Sequence, residues 1–115
     1  MYSAIVNAVN EAASDQNISI IIPAGTAIQN GRTSFIGDNF TRLDNGDATR
    51  YYHLETTYGR YTAACVWFEK ITVKNVVGNT YAPEGLDEAR KAVAQKAAHA
   101  AVKHPYKVTE LSITN

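Results

Sequence analysis

The chain has 115 residues, of which 45% are hydrophobic and 19% are charged, and its formal net charge is zero. This length corresponds to one domain or to part of one. A balanced charge argues against a nucleic-acid-binding surface, which needs an excess of lysine and arginine. Because no run of about 18 apolar residues occurs, no membrane span is expected. Residues 1–5 contain no basic region followed by an apolar one, so no secretory signal is expected there.

The first predicted elements are a helix and a strand. Apolar residues recur with helical spacing in residues 2–14, which predicts an amphipathic helix. Residues 18–22 form a short isoleucine-rich run that ends at Pro23, and such a run is typical of a strand buried on both faces of a parallel sheet. Residues 24–57 follow as a long predicted loop of the active-site type, since loops of this length in compact domains are usually functional or disordered.

A third element, a helix, is predicted for residues 58–71. Its residues at core spacing are Tyr61, Ala64, Cys65, Phe68 and Ile71. Cys65 is the single cysteine of the chain and lies within this apolar pattern. We therefore expect a buried structural thiol rather than a reactive one.

The remainder of the chain is predicted to contain one more helix. Residues 73–85 are irregular and contain glycine and proline. Residues 86–103 form an alanine-rich helix that is capped by Asp87 or by the residues just before it. The tail, residues 106–115, is weakly strand-like. Close approach of another element to the helix is expected at the small residues Ala89, Ala97, Ala100 and Ala101.

The predicted strand 18–22 has no good partner within the chain. An apolar strand needs hydrogen-bonded neighbours and cover on both faces, and residues 71–77 and the tail are poor candidates for either. A second copy of the chain could supply the neighbour, in a homodimer through the exposed strand edge. The best explanation is that residues 1–115 are a single partial domain, the C-terminal part of a larger sheet protein. The predicted fold class is therefore α/β, with one main strand and about three helices.

Four separated blocks of sequence occur in a characteristic order. They are IPAGTAIQNGRT at residues 22–33, HL at 53–54, GRYTAACVWFE at 59–69 and YAPEGL at 81–86. Together they resemble the C-terminal half of a subfamily of SGNH/GDSL-type serine hydrolases, which carries the description domain of unknown function and is common in gut-type bacteria. The resemblance implies a three-layer α/β/α fold, in which the last strand of the sheet leads to a loop with the catalytic acid and base.

The resemblance also implies a Ser-His-Asp triad, in which His53 matches the histidine of an Asp-x-x-His motif. The residue three positions before His53 is Arg50 rather than aspartate. The acid is then expected to be Asp44 or Asp47, with Asp38 further off. The family's serine nucleophile and the glycine and asparagine of its oxyanion hole have no counterpart in the chain.

The chemistry of such a triad explains why a histidine matters here. A serine hydroxyl becomes an effective nucleophile when a base takes its proton and a carboxylate fixes the imidazole tautomer. General base catalysis contributes about 10²–10⁴-fold to the rate. The competing interpretation is that His53, which lies in a polar loop beside tyrosines, is an ordinary surface or packing residue.

Other residues are weaker candidates. Thr26, Gln29 and Asn30 follow the predicted strand and are candidate substrate-binding residues, although capping and turn roles would explain them equally well. Ser34 lacks the strained turn and flanking glycines of known serine nucleophiles.

Neither a metal nor a cofactor is predicted. His99 and His104 lie on or just after the last helix, where we expect them to be solvated, and no third ligand at zinc spacing accompanies them.

Three functions therefore compete. The favoured one is a C-terminal fragment of an SGNH-type ester hydrolase, inactive alone, whose full-length parent takes a small-molecule or carbohydrate-linked acyl ester. The alternative is a non-catalytic binding or assembly module derived from that fold. A small enzyme with an unrecognised site is the third, and the missing serine block argues against it.

Overall fold

The computed structural model describes residues 1–41 and 53–113. Within these ranges the chain forms four α-helices and one short 3₁₀ helix. They are α1 (Tyr2–Ala13), α2 (Ala24–Arg32), the 3₁₀ helix (Gly37–Thr41), α3 (Tyr58–Thr72) and α4 (Glu88–Lys103). The described part of the chain contains no β-strand, so the predicted α/β fold class, and with it the α/β/α layering, is wrong for these residues.

The predicted strand, residues 18–22, forms neither a strand nor a helix. Its backbone hydrogen bonds to other described residues lie at its two ends. Ile18 N–H donates to Asp15 O at 3.0 Å, and Ile22 O accepts from Ala24 N–H at 2.8 Å. A strand exists only where a neighbouring backbone forms a ladder with it, and no described segment lies in that position.

The tail packs along α2 rather than beside residues 18–22. Thr109 N–H donates to Asn30 Oδ1 at 2.6 Å, and Leu111 N–H donates to Thr33 Oγ1 at 3.0 Å. Both acceptors are side chains at the C-terminal end of α2. The tail therefore satisfies its amide groups with side chains, which is why it forms no ladder.

Residues 71–77, the other candidate neighbour, begin inside α3 and continue as a loop. The helix ends at Thr72, and the φ of 59° at its C-cap residue, Val73, lies in the left-handed region. Ile71 was predicted to be a core residue, but 62% of it is exposed, so that prediction is wrong. The helix turns Ile71 away from α2 and α4, whereas Glu69, two residues earlier, lies on the buried face.

Helices α2, α3 and α4 pack on one another and form the main core. The buried residues of this core are Ala27, Tyr61, Cys65, Val66, Val76, Ala94, Ala98 and Ala101. Close approach to α4 is confirmed at Ala97 and Ala101, which are both fully buried, whereas Ala89 is exposed. The prediction that Cys65 is buried is confirmed.

The N-terminus of α4 is capped by Asp87, as predicted. The Asp87 carboxylate accepts a hydrogen bond from Arg90 N–H at 2.8 Å, and its second oxygen lies 2.6 Å from the Arg90 guanidinium. These bonds lower the pKa of the Asp87 carboxyl group below its usual value, the backbone N–H being the largest cause.

Helix α2 occupies the first part of the predicted loop 24–57, which is therefore a loop only in part. Two glycines and the preceding proline conceal this helix in the sequence. Gly31 is required by packing, because the ring of Phe40 lies where a β-carbon on residue 31 would be. Phe40 itself is fully buried in a second core cluster with Ile28, Ile36 and Val93.

Helix α1 differs from the other helices. It confirms the helix predicted for residues 2–14, but it contains no buried residue and packs on none of the other helices. Its side chains are linked to the rest of the chain by a hydrogen bond of 3.0 Å between Tyr2 Oη and Thr26 Oγ1. No helix in residues 1–41 and 53–113 is both long and apolar enough to cross a membrane.

Candidate functional site

His53, the predicted catalytic base, lies exposed just ahead of α3. The two residues that follow it fix the backbone on its C-terminal side. Leu54 packs against the second core cluster, and Glu55 is almost fully buried, with 2% of its surface exposed. The side chain of His53 is therefore exposed to solvent, while the backbone of the next two residues is held in place by packing.

Glu55 caps the N-terminus of α3. Its carboxylate accepts hydrogen bonds from Thr57 N–H at 2.8 Å and from Gly59 N–H at 2.9 Å. Thr57 is the N-cap residue but makes no capping hydrogen bond with its own side chain, so Glu55 takes over that role. A carboxylate at a helix N-terminus satisfies otherwise unpaired amide groups and interacts favourably with the helix dipole.

The loop is closed tightly against the helix. Glu55 N–H also donates to Phe40 O at 2.8 Å, which joins the loop to the 3₁₀ helix. A β-carbon on Gly59 would lie 3.0 Å from Leu54 Cδ1 and 3.3 Å from Glu55 Cβ, so a larger residue would push the loop outwards. Gly59 thus permits the close approach that holds residues 54 and 55 in place.

Aromatic side chains support the same end of α3. The rings of Phe40 and Tyr58 meet edge to face with centroids 5.3 Å apart. The guanidinium group of Arg90, from α4, lies 5.7 Å from the centroid of the Tyr58 ring. The His53 loop therefore rests on contacts from three elements, namely the 3₁₀ helix, α3 and α4.

The acid partner predicted for His53 is not among the described residues. Asp44 and Asp47 both lie in the range 42–52, outside the described residues. Asp38, the more distant candidate, forms an ion pair with Arg32, with 2.5 Å between Oδ1 and Nη2. The assignment of the acid to Asp44 or Asp47 stays a prediction.

The three predicted substrate-binding residues occupy different environments. Asn30 is fully buried and uses its amide internally, since Nδ2 donates to Ala97 O at 3.1 Å and Oδ1 accepts from the tail. Thr26 is 5% exposed, and its hydroxyl donates to Pro105 O at 2.7 Å. Gln29 is half-buried. It lines, with Thr26, an apolar cavity of about 160 Å³ between α1 and residues 21–23.

Ser34, the weak nucleophile candidate, has a structural role. Its hydroxyl donates to Gly31 O at 2.6 Å and accepts from Ile36 N–H at 3.2 Å. These two bonds form the turn that follows α2. A hydroxyl that is committed to a turn in this way is poorly placed to attack a substrate.

A histidine–carboxylate pair that sequence reasoning missed joins α3 to α4. His99 Nδ1 lies 2.7 Å from Glu69 Oε1, and the other oxygen of Glu69 accepts from Val76 N–H at 3.0 Å. The prediction that His99 is solvated is therefore wrong, whereas His104 is exposed as expected. The available signal was Glu69 itself, one helical turn after buried Cys65, because a carboxylate on a buried face needs a partner.

The cysteine and tyrosine near this pair are protonated and unreactive near neutral pH. Burial raises the pKa of the Cys65 thiol to about 11, so the thiol stays protonated near neutral pH. Burial also raises the pKa of Tyr61, whose hydroxyl donates to Tyr81 O at 2.8 Å and accepts from Gln95 Nε2 at 2.9 Å. These groups hold α3, α4 and the 76–81 loop together and provide no activated nucleophile.

Comparison with known proteins places the chain in one family. Residues 1–101 match the family model described as Domain of unknown function (DUF4886). A crystal structure of a DUF4886 family protein from Bacteroides uniformis ATCC 8492 is 55% identical in sequence and superimposes with a TM-score of 0.86. That likeness covers 96% of this chain but 40% of the solved one, so the chain spans about 40% of that protein's length. No curated protein matches the chain. The family match and the solved relative agree, and the chain belongs to the DUF4886 family.

Proposed function

We propose that this chain is the C-terminal portion of an ester hydrolase of the SGNH/GDSL type and that His53 is its general base. The observation that carries the proposal is the setting of His53, an exposed imidazole that is followed directly by a loop held by the buried Glu55 cap. A catalytic base must be both accessible and fixed, because a small misplacement of a reacting group is costly. The length of the Bacteroides uniformis relative leaves room for a nucleophile outside the matched 40%.

In the proposed reaction the nucleophile is a serine from the remaining part of the longer protein. His53 accepts the hydroxyl proton as the serine oxygen bonds to the ester carbonyl carbon, and returns it to the departing alcohol. Water then hydrolyses the acyl-enzyme with the same imidazole as base. Asp44 or Asp47 orients the ring, and Glu55 fixes the backbone behind it. The substrate class is an acyl ester, with a carbohydrate-linked ester as the specific form.

The isolated chain should be inactive under this proposal. Ser34 is committed to a turn, and the resemblance leaves no counterpart for the oxyanion-hole residues. Loss of a single oxyanion-hole donor costs about 2.7–4 kcal/mol of transition-state stabilisation. Loss of the nucleophile together with the donors should therefore reduce hydrolysis to the rate of free imidazole.

The test compares two proteins. One is the 115-residue chain, and the other is a chimera in which this chain replaces the corresponding 40% of the Bacteroides uniformis protein. Aryl acetates and acetylated sugars are the substrates. We expect saturable hydrolysis by the chimera that falls at least about 100-fold with His53→Ala. The matched control, His104→Ala, removes an exposed histidine and should leave the rate unchanged.

Two outcomes would contradict the proposal. The first is a folded chimera with no esterase activity. The second is saturable hydrolysis by the short chain that is lost with Ser34→Ala, which would indicate a small enzyme instead.

A non-catalytic binding or assembly module is the second candidate. It is favoured by Asn30, a predicted substrate-binding residue whose amide is fully buried and bonds to Ala97 and the tail, which removes one polar group from the proposed catalytic cleft. Under this alternative the folded chimera binds acetylated sugars or a protein partner without turnover, and His53→Ala leaves that binding intact.

The isolated chain is also proposed to self-associate through residues 18–22. Ile18 and Ile20 are 42% and 46% exposed, and an apolar segment with unpaired backbone groups tends to pair with another copy. Light scattering over a range of concentrations should detect a dimer that Ile20→Asp abolishes. A chain that stays monomeric at millimolar concentration would rule this association out.

A further inference from the structure

We infer that α1 and residues 18–22 form the surface on which the remaining part of the longer domain packs. We call this the α1 surface, and its exposed large apolar residues are Ile5, Ile18 and Ile20, at 52%, 42% and 46%. The inference rests on the part of the proposed function that makes this chain one portion of a longer protein. It does not depend on ester hydrolysis.

Helix α1 has little support from the described residues. It is 12 residues long and contains no buried residue, and its backbone lies close to no other helix among the described residues, the link to α2 being the hydrogen bond between Tyr2 Oη and Thr26 Oγ1. Isolated helices of about 12–15 residues are marginal in water, because most helical stability in proteins comes from packing of an apolar face. Residues 21–23 and α2 line a cavity with the apolar face of α1 but leave Ile5 52% exposed, so this face needs a further partner for full burial.

The backbone of residues 19–21 also needs partners. None of these residues exchanges a backbone hydrogen bond with another described residue, although Ile21 lies against α1 at the apolar cavity of about 160 Å³. Buried backbone groups are almost always paired. A partner that covers this segment must therefore bring backbone donors and acceptors as well as apolar side chains, as an extended peptide segment does.

The longer relative points to the occupant of this surface. The Bacteroides uniformis protein keeps this arrangement over 96% of the present chain, with a TM-score of 0.86, while the match covers only 40% of its own length. A surface that is poorly covered here, in a fold that the longer relative shares, is best explained by contact with that additional length. The occupant is thus an apolar, extended segment of the same domain, and a second copy of the chain is the rival occupant.

The experiment uses the chimera described above and compares two exposed isoleucines. Ile20 lies on the α1 surface, whereas Ile71 lies on the outer face of α3 and is 62% exposed. If the remaining domain covers the α1 surface, Ile20→Asp buries an uncompensated charge and should lower the Tm of the chimera by about 6 °C or more. Ile71→Asp should shift the Tm by less than about 2 °C.

Equal shifts for the two substitutions in a monomeric chimera would overturn the inference. Protection of the residue 19–21 amides that appears only when the chimera dimerises would assign the surface to a second copy and would overturn it as well. If the chimera does not fold, the same pair of substitutions is made at the equivalent positions of the Bacteroides uniformis protein, where equal shifts would likewise overturn the inference.

The outcome is separable from the proposed activity. A chimera that shows the Tm difference but hydrolyses no ester would support the packing surface and contradict the hydrolase. A chimera that hydrolyses esters but shows equal Tm shifts would support the hydrolase and contradict the packing surface.

Discussion

Helices α3 and α4 differ from α1 and the residues that follow it in how much apolar surface they bury. Helices α3 and α4 bury Val66, Val93 and a row of alanines completely, and their polar residues Glu69 and His99 satisfy each other. Helix α1 contains no fully buried residue, and the residues that follow it leave isoleucines exposed. The difference indicates that α3 and α4 belong to a packed core, whereas α1 and residues 18–22 present an exposed apolar surface.

The largest expected effect comes from placing the same charge in each region of the isolated chain. Val66→Asp puts a carboxylate in a fully buried position and should cost about 3–5 kcal/mol, a large part of the stability of a small domain. Ile5→Asp, at a residue that is 52% exposed, should change the free energy of unfolding by less than about 0.5 kcal/mol. Urea unfolding followed by circular dichroism measures both. Similar losses for the two variants would contradict the contrast between the regions.

A smaller effect is expected at the loop that carries His53. Glu55→Ala leaves the amide groups of Thr57 and Gly59 without their acceptor and should destabilise the chain by about 1–3 kcal/mol. The matched control is Glu84→Ala, which removes an exposed carboxylate and should be nearly neutral. Urea unfolding compares the two, and amide exchange at Gly59 should accelerate in the Glu55 variant alone. Equal stability of the two variants would show that the cap does not hold this loop.

The smallest effect is expected at the N-terminus of α4. Asp87→Ala should cost about 1 kcal/mol, the usual contribution of a capping aspartate. Because the folded-state pKa of Asp87 is lowered, its contribution is fully present above the unfolded pKa of about 3.9 and is lost as the pH falls through the folded value. The stability difference between Asp87→Ala and the parent chain should therefore shrink below about pH 4. A difference that stays constant from about pH 6 to about pH 2 would contradict this.

The helices with regular apolar spacing were predictable from the sequence. Residues 2–14, 58–71 and 86–103 correspond to α1, α3 and α4, and the cap at Asp87 follows from the same pattern. Local periodicity and capping are properties of neighbouring residues, so they can be recognised without knowledge of the fold.

The predictions that are wrong concern features that depend on distant parts of the chain. Helix α2 was hidden by Gly31, whose role becomes clear only when the ring of Phe40 is seen against it. Residues 18–22 have the composition of a strand but no neighbour, and composition alone cannot supply one. His99 was assigned to solvent because its partner, Glu69, lies on another helix.

The candidate site was predictable only in part. The exposed position of His53 was predictable, its catalytic role stays a prediction, and the cap formed by Glu55 was not anticipated. The position of Thr26 and Asn30 after an apolar segment suggests substrate binding, and a sequence does not reveal that their side chains bond to Pro105 and to the tail. The resemblance that suggested the site concerns residue identities, whereas hydrogen-bond partners depend on the packed structure.

The chain thus combines a helical core with an exposed apolar surface that we infer the longer domain covers. Native-state amide exchange tests this combination most directly, with the isolated chain held at a concentration where it is monomeric and compared with the chimera. We predict that the amides of Val66 and Val93 are protected in both proteins, whereas those of Ile20 and Ile21 exchange freely in the chain and at least about 100-fold more slowly in the chimera. Strong protection of Ile20 and Ile21 in the monomeric chain, or none in the folded chimera, would contradict the account.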